Sequence, residues 1–312
     1  MTENMKYRLV TRSDFDGLVC AVLLKEMDIL DDILFVHPKD MQDGKIEVDR
    51  NVITTNLPYV EQCHLAFDHH SSETVRLGEE RPANHIIDPE APSAARVVYD
   101  YYGGQETFER VSEEMMWAVD RSDSAVFTED EILNPTGWVL LNFLMDARTG
   151  LGRFRNFRIS NYQLMMRLID HCREHDIDEL LALPDVRERV ELYKDHEPKA
   201  VEQIKRCSAV HDNLVVLDLR HEEVIYACNR FVVYALHPDC NISMHVLWGR
   251  QQQNTVFALG NSILNRTSKT DIGRLALEYG GGGHANAGTC QVDNDRADTV
   301  RDELIERITR NG

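Results

Sequence analysis

Several things are scarce in this 312-residue chain, and each scarcity excludes something. No two cysteines form a CxxC pair. The seven that exist (20, 63, 172, 207, 228, 240 and 290) are odd in number and scattered, several of them in apolar runs. They read as reduced thiols, which argues against a zinc ribbon or a disulfide framework. No apolar stretch approaches the ~18 residues that suggest a membrane span. The opening "MTENMKYRLVTRSD" lacks the apolar centre of a signal peptide. The expectation is a cytoplasmic protein with no membrane partner. Basic residues are also few, 34 against 53 acidic, for a formal charge of -19. That balance opposes a sequence-independent grip on duplex nucleic acid or a long basic track, both of which depend on phosphate contacts. It leaves room for a small, locally basic pocket. Nothing in the sequence specifies an oligomeric state.

What remains is ordinary for a globular protein: 43% hydrophobic and 28% charged residues. The length favours two domains. In the first half, apolar strands alternate with helices. "YRLVTR" (7–12), "DILFVHP" (32–38), "RNVITTN" (50–56) and "CHLAFDHH" (63–70) read as strands, and "GLVCAVLLKEM" (17–27) as a helix. This order implies α/β architecture, a mainly parallel sheet with helices on both faces. In such sheets ligands collect at the carboxyl ends of strands, where Asp14-Phe15-Asp16, Asn56 and Asp68-His69-His70 fall. "APSAARVVYDYY" (91–102) predicts a helix capped by Ser93 and stopped at Gly103-Gly104. The chain is then mostly helical from 112 to about 183.

The charged segment 191–206 reads as a helical linker, because a helix polar around much of its surface can bridge domains. Beyond it, "NLVVLDL" (213–219), "EVIYACN" (223–229), "ISMHVLWG" (242–249) and "NTVFALGN" (254–261) are expected strands. A helix over 270–280 and a final strand–helix pair complete a smaller α+β domain. The boundaries expected are 1–190, a linker over 191–206, and 207–312.

Three stretches carry chemistry. Asp14 and Asp16, with Gly17 freeing the backbone, suit a hard cation such as Mg²⁺ or Mn²⁺, although an aspartate that merely caps a helix is the plainer reading. Asp68-His69-His70 joins carboxylate to imidazole, a set suited to Mn²⁺, Fe²⁺ or Zn²⁺. "GGGGHANAG" (280–288) offers backbone amides and His284 to an anion, without the lysine of a P-loop. Upstream, "GNSILNRTSK" (260–269) supplies Asn261, Ser262 and Arg266, and Arg266 could clamp a phosphate bidentately.

Taken in this order, the three motifs resemble those of the DHH phosphoesterase superfamily, in the branch with a DHHA1-type C-terminal domain. That branch includes oligoribonucleases acting on very short RNAs, adenosine bisphosphate phosphatases and exopolyphosphatase-related proteins. The resemblance covers essentially the whole chain. It implies a metal-binding catalytic domain, a substrate-binding domain and an active site in the cleft between them. It further implies Mn²⁺, or Mg²⁺, held by Asp14, Asp16, His69 and a later aspartate, for which Asp120 and Asp123 are both candidates. Asp68 would orient His69, His70 would face the phosphate, and His284, Arg266, Asn261, Ser262 and Gly281–Gly283 would hold substrate. The implied activity is metal-assisted hydrolysis of a small phosphorylated substrate: a short oligoribonucleotide, a nucleoside bisphosphate or polyphosphate.

Two departures from the family pattern bear on the metal. Val10 stands where a histidine is common, and Asn56 where a metal-bridging aspartate is usual. Either loss weakens a second metal, with His37, His64 or His85 as possible substitutes. The alternative is a DHH scaffold that binds a nucleotide or phosphate ligand without hydrolysis.

Overall fold

The run Tyr7–Arg12 forms β1, and Asp14 caps the helix that follows, α1 (Phe15–Glu26). The chain continues through β2 (Leu30–Val36), α2 (Pro38–Gln42), β3 (Val52–Thr55), β4 (Leu65–Asp68), α3 (Ser71–Leu77) and β5 (His85–Ile87). Helices α4 (Ala94–Tyr101), α5 (Glu113–Asp123), α6 (Glu129–Leu133), α7 (Gly137–Met145), α8 (Asn161–Glu174), α9 (Ile177–Ala182) and α10 (Pro184–Cys207) come next. This computed structural model describes residues 6–78 and 82–312. Part of the stretch read above for a leader, residues 1–5, lies outside them. Two units separate: Met1–Val126, Thr136–Ala147 and Leu151–Glu191 form the first, and Phe127–Pro135, Arg148–Gly150 and Leu192–Gly312 the second.

The first unit holds a five-stranded sheet in the order β2-β1-β3-β4-β5, parallel throughout. Successive strand residues point to opposite faces, and Leu9 and Val10 are both fully buried, so both faces of β1 are covered. On one side Val10 packs with Val36, Val52, Leu57 and Met41 of α2. Helix α1 is buried from Phe15 to Leu24, as a helix apolar all round must be. It packs on β1, α4, α5 and α8. From β1 the chain steps to β2 on one side and to β3 and β4 on the other. The carboxyl ends of β1 and β3 therefore flank a topological switch point, where α/β sheets leave a crevice for ligand.

The second unit contains β6 (Ser208–His211), β7 (Leu214–Asp218), α11 (Val232–Leu236), β8 (Ile242–Trp248) and β9 (Thr255–Asn261). It ends with α12 (Ile272–Glu278), β10 (Gly282–His284), β11 (Ala287–Val292) and α13 (Ala297–Asn311). Its sheet runs β10-β11-β9-β8-β7-β6, and only β7 and β8 are parallel. Leu214, Met244 and Phe257 of the sheet pack with Ile272 and Leu275 of α12 and Val300, Leu304 and Ile308 of α13. No described helix is long and apolar enough to cross a membrane.

One expected strand is absent: 223–229 has no regular structure. Its backbone is satisfied by side chains of α10 instead. Gln203 donates to the Val224 carbonyl and accepts from the Tyr226 amide, His196 Nδ1 accepts from Ala227, and the Tyr193 hydroxyl accepts from Asn229. The segment 191–206, read as polar around much of its surface, thus has a buried stripe of Tyr193, His196, Ala200 and Gln203. The stripe escaped notice because three of its four members carry polar tips.

Candidate metal centre

Asp14 follows β1 and caps α1, its Oδ1 accepting the Gly17 amide at 3.0 Å. Gly17 is needed for this turn, since a Cβ there would stand 2.0 Å from the Arg12 carbonyl oxygen. Asp14 Oδ2 meets Arg12 Nε at 2.8 Å, and the Asn56 amide nitrogen lies 3.4 Å from Oδ1. Asn56 turns the chain after β3 with φ of 54°, a left-handed conformation that asparagine tolerates well. Its Oδ1 is buried without a hydrogen-bond partner.

Asp16, two residues on, has a different environment. It is 2% exposed and lies against the N-terminal end of α4, accepting the Ala94 amide at 3.0 Å and the Ala95 amide at 2.8 Å. Helix N-termini favour negative charge. Burial nevertheless dominates: together with the nearby Asp123 and Asp14 it raises the Asp16 carboxyl to about 8.

His69 follows β4. Its Nδ1 lies 3.1 Å from the Ala91 carbonyl oxygen, a contact that places a proton on Nδ1 and leaves the Nε2 lone pair outward. Nε2 is 2.8 Å from Asp123 Oδ2, so the protonated ring pairs with that carboxylate. Burial lowers the basicity of His69, yet Asp123 and Asp16 outweigh it and raise the imidazole to about 9. Asp123, the last residue of α5, is pushed up by burial and pulled down further by His69, for a net lowering. Asp16, His69 and Asp123 each offer a ligand atom, all within 4.8 Å of one another. The buried Asp16 and partly buried Asp123 carboxylates converge on one imidazole, an arrangement that suits a divalent cation once the ring has given up its Nε2 proton.

The other sequence candidates are placed as follows. Asp68 Oδ1 accepts from the amides of His69 and His70 and lies 2.7 Å from His70 Nδ1. The ring it orients is therefore that of His70, while His69 is held by Ala91. Asp120 accepts two hydrogen bonds from Arg96 and one from Ser93, and it lies outside the Asp16–His69–Asp123 group. Val10 is core. His37 caps α2, His64 stacks on Tyr7 and His85 on Tyr59. The sequence reading missed the Ala91 carbonyl, the Ala94 and Ala95 amides, and the approach of Arg12 to Asp14. Ser93, recognised as a cap, was the signal for the helix N-terminus that receives Asp16.

In the second unit, Asn261 ends β9 and donates to Asn286 Oδ1 at 3.1 Å, while its own Oδ1 is buried and unpartnered. Ser262 Oγ accepts the amides of Leu264 and Asn265. The Arg266 side chain is exposed, with Nε donating to the Ile263 carbonyl. "GGGGHANAG" forms a hairpin rather than an open loop. A Cβ on Gly281 or Gly283 would fall 2.1 or 2.2 Å from carbonyl oxygens of β11, so both glycines serve the hairpin itself. Gly282 has open space where its Cβ would be, beside the exposed His284.

No family profile matches the chain, and no curated protein does. Among solved structures, CDC45 from Entamoeba histolytica shares the fold, with a TM-score of 0.56 at 9% identity, over 98% of this chain and 95% of that one. RecJ from Thermus thermophilus in complex with Mn²⁺ matches with a TM-score of 0.51 at 13% identity, over 99% of this chain and 52% of that one. A further structure goes beyond fold: it is 63% identical, covers 98% of this chain and all of its own, and has a TM-score of 0.86. The chain belongs to the DHH phosphoesterase superfamily and is a phosphoric ester hydrolase. That relative is the pGpG-specific phosphodiesterase PggH from Vibrio cholerae.

Proposed function

We propose that this protein is a divalent-metal-dependent phosphodiesterase that hydrolyses the dinucleotide pGpG. The observation that carries the metal dependence is the convergence of Asp16, His69 and Asp123, whose ligand atoms lie within 4.8 Å of one another. The substrate is taken from the relative with 63% identity, and it agrees with the acidic surface, which favours a short ligand over a polymer. In this reading Asp16, His69 and Asp123 hold the ion, Mn²⁺ or Mg²⁺. When bound, such an ion acidifies water and neutralises charge developing on phosphate oxygens.

The chain's own groups do the rest. The Ala91 carbonyl keeps the proton of His69 on Nδ1. Asp68 holds His70 so that its other ring nitrogen donates to a phosphate oxygen. His284 and the Asn261 amide supply further donors, and Arg266 pairs with a terminal phosphate.

Asp14 is the weaker ligand, because Arg12 and Gly17 already occupy its oxygens. The Arg12 guanidinium stands in for part of the charge of a second cation until substrate phosphate draws it away. Turnover of pGpG should exceed that of pApA, adenosine 3′,5′-bisphosphate and polyphosphate, and a chelator should abolish it. Equal turnover of pApA and pGpG would sink the guanine specificity; full activity after exhaustive chelation would sink the metal dependence.

A further inference from the structure

A second cluster of metal-ligating side chains lies at the C-terminal end of α8, and we propose that His171, Glu174 and His175 form a separate site for a late first-row divalent ion such as Zn²⁺. Residues spaced i, i+3 and i+4 share one helix face. Here their ligand atoms all lie within 4.8 Å of one another, and the two imidazole centroids are 5.5 Å apart. Tetrahedral Zn²⁺ with ligands at its usual distances has donors about 3.4 Å apart, so small side-chain rotations close the set.

Two details show that the histidines are prepared for an ion. His171 Nδ1 is buried and has no hydrogen-bond partner, a cost that ligation removes. His175 Nδ1 lies 3.2 Å from Glu179 Oε2, the carboxylate–imidazole pairing that fixes a ligand's tautomer and leaves Nε2 for metal. Glu179 is itself held at the start of α9, where it forms a capping box with Asp176.

Two imidazoles and one carboxylate favour Zn²⁺, Cu²⁺ or Ni²⁺ over Mg²⁺. The negative end of the helix dipole adds to the attraction. The site is well removed from Asp16. Lys25–Asp170 and Arg173–Glu26 ion pairs tie this end of α8 to the far end of α1, and the ten residues from Asp16 to Glu26 span about 15 Å of helix. An ion here would pin the corner between α8 and α9.

The test is zinc binding by the untagged full-length protein, read by competition with a chromophoric chelator. His171→Ala and His175→Ala should each lower zinc stoichiometry by about one equivalent relative to wild type. Manganese stoichiometry and phosphodiesterase turnover should stay at wild-type values. Glu179→Gln should keep the site but weaken it about tenfold, as loss of an orienting carboxylate does. Should either histidine variant unfold, Glu174→Gln replaces it, with at least a tenfold loss of zinc affinity expected. Unchanged zinc stoichiometry and affinity across the variants would overturn the proposal. So would loss of manganese in His171→Ala, which would mean that the residue acts on the other centre.

Discussion

The two histidine–carboxylate groups of this protein are assembled in opposite ways. Asp16, His69 and Asp123 come from the start of α1, the residue after β4 and the end of α5, and Asp16 and His69 are held by partners outside the group. His171, Glu174 and His175 come from little more than one turn of chain; the two histidines are partly buried and Glu174 is exposed. The first group is a product of the whole fold of its unit, set at the carboxyl edge of a parallel sheet. The second needs only the last turn of α8 and the extended residue that caps it. Long-range assembly brings two carboxylates together in a poorly solvated place, an arrangement that a cation would relieve.

The comparison breaks most visibly at the ligands. His69→Ala or Asp123→Ala should lower turnover by about a thousandfold or more and abolish stoichiometric metal, whereas His171→Ala leaves turnover intact. Steady-state kinetics with metal analysis would check both.

A smaller effect separates the two aspartates of α5. Asp120→Asn breaks a mostly buried pair with Arg96 and should cost about 2 kcal/mol of stability in urea unfolding, with metal affinity nearly unchanged. A collapse of metal affinity would instead make Asp120 the ligand.

The pH dependence follows from the raised groups. In the metal-free protein, Asp16 at about 8 and His69 at about 9 bind protons in the folded state that the unfolded chain has lost. The stability that these protons confer is lost as pH rises through those values. The metal-free melting temperature should therefore fall between pH 6.5 and 9, and saturating Mn²⁺ should offset the fall. Metal affinity should rise over the same range, by up to about tenfold per unit for each proton displaced. Calorimetry in two buffers of different ionisation enthalpy would count those protons.

The smallest change expected is at the second cation. Arg12→Ala or Asn56→Asp should raise bound Mn²⁺ from about one ion towards two. An unresponsive stoichiometry would mean that Asp14 has no part in holding metal.

Much of the first unit was legible because its strands are short apolar runs with polar residues directly after them. Asp14, Asp16 and the 68–70 triplet sit at strand ends for that reason. The alternative of a scaffold that binds without hydrolysing gives way to the identity with a phosphodiesterase.

Other features were not legible. Asp120 and Asp123 lie three residues apart on one helix face, and only the packing of α4 shows that Arg96 takes one and His69 meets the other. The partner of Asp68 could not be read either, because two adjacent rings follow it and only the fold brings the Ala91 carbonyl to His69, leaving Asp68 to His70. The false strand at 223–229 failed on similar grounds: its apolar run is real, but side chains of α10 claimed its backbone groups.

By itself the sequence determined the first four strands and the helix α1, the placing of aspartates and histidines at strand ends, and the family to which these motifs belong. Periodicity and turn chemistry are local, and local signals survive in one dimension. Tertiary structure decided which carboxylates face which imidazoles, and that Asp14 is tied to Arg12 while Asp16 is buried against α4. Those choices depend on burial and on charges far apart in the chain, and neither exists until the chain has folded.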